Sequence, residues 1–344
     1  MNSFRGPISN VYSNQYIILF TLAGFLTISA MVALVLGSYK ISLSEVIFGE
    51  ISELSETVLF QIRAPRVIFS MFAGASLALS GACLQGLFRN PLADPGLIGV
   101  SAGAALGAAS IIVIGSSSTP SFLLSPYMVP MGAILGSSGV IFLLYTLTKG
   151  FESQGISYML LAGIAINALV GVCIGILTYI SNDAELRGLT FWTMGSFGGV
   201  TWPLVLPAII VISINLFWIF KFSRSLDILQ LGESEAYRLG VDVKKLKFAI
   251  IISSAMIVGI SVSLSGMIGF VGLVIPHLVR MMGGVNNNYV LPASAILGAS
   301  LMVVSDLVSR VVIQPAELPI GLITSALGSP FFLWLILKIK KYEH

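Results

Sequence analysis

Apolar stretches of about twenty residues recur from one end of this 344-residue chain to the other. That length lets an α-helix cross the hydrocarbon core of a bilayer. In lipid no water can satisfy a backbone N–H or C=O, so an apolar span of this kind folds as a helix or as part of a closed barrel. Runs this long, without strand alternation, read as helix. The expected fold class is therefore all-α and polytopic. Composition agrees, since 56% of residues are hydrophobic and 10% are charged, whereas a soluble domain carries about a quarter charged residues.

Eight spans are clear: Ile17–Leu36, Val67–Leu84, Gly96–Gly115, Pro126–Leu147, Tyr158–Ile180, Pro203–Phe220, Phe248–Ile268 and Leu318–Leu337. Two more carry polar residues. The apolar run Gly269–Gly283 is interrupted by Pro276, His277 and Arg280, and Val290–Val308 contains Asp306. About ten transmembrane helices follow, forming one permease domain over residues 16–344 behind a cytoplasmic tail, residues 1–15. The first apolar run lacks a small-x-small cleavage site, so it reads as a retained helix. Starting from an inside N-terminus, ten crossings place thirteen of the eighteen Lys and Arg residues in the cytoplasm and five outside. This bias is the expected one and puts both termini inside.

Four features carry the functional reading. Arg63 and Arg66 precede the second span on the outer side, where basic residues are uncommon, and Arg310 ends the ninth span there too. Outward guanidinium groups can grip carboxylates of an extracytoplasmic partner. They can also anchor to headgroups, or Arg310 can pair with Asp306 one turn away. The second feature is the longest hydrophilic stretch, about 221–247, in which Gly232-Glu233-Ser234-Glu235-Ala236-Tyr237-Arg238-Leu239-Gly240-Val241 has helical amphipathic spacing. Such a segment reads either as a docking helix for a cytoplasmic subunit or as a solvated linker. Third, two prolines and a glycine in Arg89-Asn90-Pro91-Leu92-Ala93-Asp94-Pro95-Gly96 forbid regular helix and suggest a turn, or a gate, at the inner mouth. Fourth, His277 lies within the membrane without a second metal ligand nearby in sequence, and a structural role beside Pro276 is expected.

Cys83 and Cys173 fall inside spans as small hydrophobes. No nucleotide-cradling Gly-x-x-x-x-Gly-Lys-Ser/Thr, nucleophile elbow or zinc-protease signature occurs. No basic run with interleaved aromatics points to nucleic acid. An ATP-driven machine would need its motor on another chain, and an ion-coupled secondary transporter is the alternative of a different class.

On these residues the chain resembles the bacterial permeases that import iron–siderophore complexes, haem and vitamin B12. The resemblance rests on Arg63-Ala64-Pro65-Arg66 through Gly103, with the Asn90-to-Gly96 string as its specific core. It extends through Leu161-Ala162-Gly163, Trp192-Thr193-Met194-Gly195-Ser196, Ala236–Val241, Gly269–His277 and Glu317-Leu318-Pro319-Ile320-Gly321. It implies a type II ABC importer permease in the bacterial cytoplasmic membrane. Such a permease pairs with a second copy, as a homodimer, above two cytoplasmic ATPase subunits and below a substrate-binding protein. No cofactor binds this chain, and ATP is used by the partner subunit. The resemblance assigns Arg63, Arg66 and Arg310 to binding-protein docking. It assigns Leu226, Gly232, Glu233, Glu235, Ala236, Arg238, Leu239, Gly240 and Val241 to ATPase coupling, and Asn90, Leu92 and Ser157 to the cytoplasmic gate. Ile156 departs from the hydroxyl residue of the vitamin B12 permease. The wording around Phe191–Ser196 is similar to haem permeases, so haem comes first as substrate and iron–siderophore second.

Overall fold

The computed structural model describes residues 7–37, 39, 52–117, 125–148 and 156–342. Thirteen helices run through them. They are α1 (Pro7–Val35), α2 (Glu53–Phe88), α3 (Val100–Ser117), α4 (Met128–Leu147), α5 (Ile156–Ile180), α6 (Asp183–Met194) and α7 (Trp202–Phe220). Then follow α8 (Ser223–Leu229), α9 (Glu233–Arg238), α10 (Val243–Ser265), α11 (Val271–Gly283), α12 (Asn287–Val311) and α13 (Ile320–Tyr342). Seven are long and apolar enough to cross a membrane, and α3, α11 and α13 supply three shorter apolar helices. These ten coincide with the ten spans read from the sequence.

The contacts between helix ends sort into two sets, as alternating crossings require. Arg310, at the end of α12, meets the end of α1 and lies beside the start of α2. At the opposite end, Asp227 of α8 meets the start of α12, and Gln15 of α1 meets Gly283 at the end of α11. Following the orientation expected from the charge bias of the sequence, the first set is called the outer end and the second the inner.

α2 is the axis of the bundle. It packs along α12, α10 and α11, and nearly all its residues from Val67 to Phe88 are buried. Small residues make this possible, because helices in lipid associate by close backbone contact. A Cβ on Gly74 would run into the carbonyl of Gly298 on α12, and one on Gly81 into the carbonyl of Gly272 on α11. α3 and α4 cross in the same way at Gly107 and Gly132.

Pro276 lies inside a continuous helix, and the backbone is interrupted earlier. α10 ends at Gly266 (φ 71°), and α11 begins after Phe270, which is held in the left-handed region at φ 69°. Through Pro276 the helix continues. Proline cannot donate to the carbonyl four residues back, which is that of Gly272. The amide of Gln85 donates there instead, at 3.2 Å, and to the Leu273 carbonyl at 3.4 Å. Because α2 supplies this donor, the proline is tolerated in the bundle interior.

Candidate functional site

Two ends of the bundle carry the charged residues. At the outer end the sequence reading expects exposed arginines, and here the structure differs. Arg63, Arg66 and Arg310 are only 4%, 5% and 5% exposed. Each is engaged inside the protein. Arg63 Nη1 donates to the carbonyls of Leu34 at 2.9 Å and Val35 at 2.5 Å, and Nη2 to that of Tyr39. Arg310 Nη2 donates to Ala33 O at 3.0 Å and Nη1 to Leu36 O at 3.3 Å. The last four carbonyls of a helix lack partners within it, and α1 has no basic residue in its last turn. Arginines from α2 and α12 therefore cap it, and positive charge suits that end of the helix dipole.

Arg66 joins the same cluster from the other side. Its Nε lies 2.7 Å from Asp306 Oδ1, and its Nη1 lies 2.9 Å from Glu317 Oε1. Asp306 is fully buried, and its Oδ2 lies 3.1 Å from Arg310 Nε, so the intrahelical pair left open by the sequence does form. Glu317 differs, with a side chain 40% exposed in the segment leading into α13. Arg66 Nη2 is buried and has no hydrogen-bond partner among the described residues. Two of the three guanidinium groups, those of Arg66 and Arg310, thus meet two carboxylates, one of them at the surface.

At the inner end, the hydrophilic segment carries two short helices, of which α9 falls within the amphipathic stretch Gly232–Val241. Gly232, at φ 113°, separates α8 from α9. Leu226 and Ala236 are completely buried, so they seat these helices on the bundle rather than facing a partner. Glu235 and Arg238 pair with each other at 3.0 Å on the exposed side, and Leu239 is exposed beside them. Gly240 (φ 84°) and Val241 turn the chain into α10. Glu233 reaches back to Lys247 of α10 at 2.9 Å, tying α9 to a membrane-crossing helix. Lys247 was not among the residues picked from sequence, nor was Tyr237, which is 77% exposed. Tyr237 has the cue of i+4 spacing from Glu233, whereas Lys247 lies on the next helix and has no such cue. Asp242 caps α10 by accepting from Lys245 N at 3.1 Å, and that bond holds its carboxyl below the usual carboxylate range.

The gate candidates make a turn. Arg89 ends α2 at φ 50°, and Asn90 Oδ1 accepts from Leu92 N at 2.9 Å, leaving the Leu92 side chain exposed. Asp94 accepts from Gly96 N at 2.8 Å and starts a short 3₁₀ turn, Pro95–Ile98; burial pushes its carboxyl above the usual range. Ser157 belongs to the first turn of α5, but its side chain lies outside the described residues, as does that of Ile156. Arg5, Lys40 and Lys149 of the charge count also lie outside them. His277 packs edge-to-face on Phe331 with ring centroids 5.9 Å apart. Among the described residues no three His, Cys, Asp or Glu side chains converge as a metal site would need.

A bundle of ten apolar helices, pinned by charge at one end and carrying an exposed amphipathic segment at the other, is a polytopic membrane protein. The chain belongs to the FecCD transport family, which matches residues 25–338. It is 43% identical over 322 residues to the hemin transport system permease protein HmuU of Yersinia pestis, covering 92% of this chain and 95% of that one. It is 38% identical over 320 residues to the vitamin B12 import system permease protein BtuC of Vibrio vulnificus, covering 91% and 93%. A solved structure of a metal-chelate type ABC transporter in an inward-facing conformation superposes with a TM-score of 0.84 at 35% identity, covering 93% of this chain and 99% of that one. PsaBC from Streptococcus pneumoniae, at 15% identity and a TM-score of 0.56, shares the fold. The protein is a permease subunit of an ABC importer, spanning the membrane several times.

Proposed function

We propose that this permease carries haem into the cytoplasm. The observation behind the reading is its 43% identity, over 92% of the chain, to a hemin permease, against 38% to a vitamin B12 permease over a similar length. Two copies of the chain pair to form the path. ATP is hydrolysed on two separate cytoplasmic subunits that press on α8 and α9, and both termini lie on that side. A substrate-binding protein docks at the outer end. Its carboxylate reaches Arg66 by displacing Glu317, the half-exposed member of the cluster, and the unpartnered Nη2 of Arg66 adds a donor for it. Each partner must contact the two states of the permease differently, since a ligand indifferent to state shifts no equilibrium.

The resemblance to a metal-chelate transporter supports iron–siderophore as the second reading. Uptake into vesicles holding the complete transporter, measured for haem, a panel of ferric siderophores and vitamin B12, separates the candidates. Haem is expected to accumulate with ATP and to compete out the others. Accumulation of a siderophore but not haem would reassign the cargo. Uptake by the permease alone, without an ATPase subunit, would remove the ABC mechanism.

A further inference from the structure

At the inner end, a cavity of ≈ 770 Å³ opens between α2, α8, α11 and the start of α12. Its wall presents Arg89, His277 and Arg280, three groups suited to an anion. Arg280 is held from behind, since its Nη1 donates to Oε1 of the buried Gln85, the same glutamine that bridges the carbonyls around Pro276. This bond uses one of the five N–H groups of the guanidinium. Arg89 is exposed on the left-handed residue that ends α2. One carboxylate faces the cavity, that of Asp227, and its Oδ1 is already engaged by Asn287 through N at 2.9 Å and Nδ2 at 2.8 Å. Amides of Asn90 and Gln230 complete the polar wall.

Beside the exposed Arg89, part of the rim is apolar. Met281 and Val285 line the opening and are 49% and 75% exposed. A small soluble anion gains nothing from such a rim. A molecule with a phosphate at one end and acyl chains at the other matches both parts. Basic pockets between membrane helices near the cytoplasmic surface suit acidic headgroups for this reason.

We propose that this cavity binds the phosphate headgroup of an anionic phospholipid from the inner leaflet, with Arg89 and Arg280 as its charged contacts and Met281 and Val285 along its chains. The test uses the full-length permease, purified with its associated subunits, in nanodiscs of phosphatidylcholine and phosphatidylglycerol. Native mass spectrometry then counts the lipid retained by the protein. The wild type is expected to keep phosphatidylglycerol in preference to phosphatidylcholine. Arg89→Gln should lower that preference about fivefold, the effect of one arginine near a charged headgroup. The double variant with Arg280→Gln should lower it further. Arg89 is exposed, so its single variant reads the site even if loss of Arg280 disturbs the packing around Gln85. Equal retention of the two lipids by the wild type, or an unchanged preference in Arg89→Gln, would overturn the proposal. So would displacement of the lipid by millimolar inorganic phosphate, which would mark the cavity as a site for a soluble anion.

Discussion

The outer and inner ends of this permease use the same residue types under opposite conditions. Outside, Arg63, Arg66 and Arg310 are almost wholly buried, and Asp306 between two of them has no solvent contact. Inside, Arg238 and Glu235 pair in the open, with side chains 75% and 52% exposed. A buried charge must be paired and hydrogen-bonded, and removing one partner strands the other. An exposed pair in water contributes little. The outer arginines thus hold α1, α2 and α12 together, whatever they also do for a partner, whereas the inner charges are available to one. Lys247 and Glu233 stand between these cases, with one partner buried and the other half-exposed.

Substitution at the two ends can break this contrast. Arg66→Ala leaves Asp306 buried with Arg310 alone, and a loss of about 3–5 kcal/mol is expected. Thermal unfolding in detergent should show it as a large fall in Tm, partly restored by adding Asp306→Asn. A melting curve equal to that of the wild type would mean that the outer cluster is not a structural clamp. Lys247→Met should cost less, roughly 1 kcal/mol, while sharply reducing ATP-driven uptake, because α9 is no longer tied to α10. Uptake at the wild-type rate would detach this pair from coupling. Arg238→Ala removes an exposed pair worth about 0.3–0.5 kcal/mol. Its melting curve should not move, and loss of uptake with the fold intact would mark Arg238 as a contact to the ATPase.

The smallest effect concerns pH at the cap of α10. The Asp242 carboxyl is held below the usual carboxylate range by its bond from Lys245 N. Its contribution is therefore fully present at neutral pH and is lost as pH falls through that lowered value. Hydrogen-exchange protection of the first turn of α10 should drop there in the wild type. In Asp242→Asn, which caps without titrating, protection should not depend on pH in that range. The same drop in the variant would place its cause elsewhere.

Spans were legible in the sequence because each crossing needs its own apolar run, and all ten correspond to helices here. α6 was not, since its twelve amphipathic residues are too few to cross and resemble a loop. The turn at Arg89–Gly96 was also readable, because two prolines and a glycine constrain the backbone wherever the chain runs. Among the proposed coupling residues, the segment and its short helices were legible, but not the inward turn of Leu226 and Ala236.

Sequence alone thus determined what depends on local composition, namely the ten apolar spans. Tertiary structure decided which charges are inside. Arg63 is buried because the carbonyls ending α1 need donors, and Pro276 continues a helix because Gln85 supplies the donor for the carbonyl of Gly272, 187 residues from it in sequence. A polar group in a membrane protein is satisfied by whatever the fold brings beside it, and no window of sequence contains that neighbour.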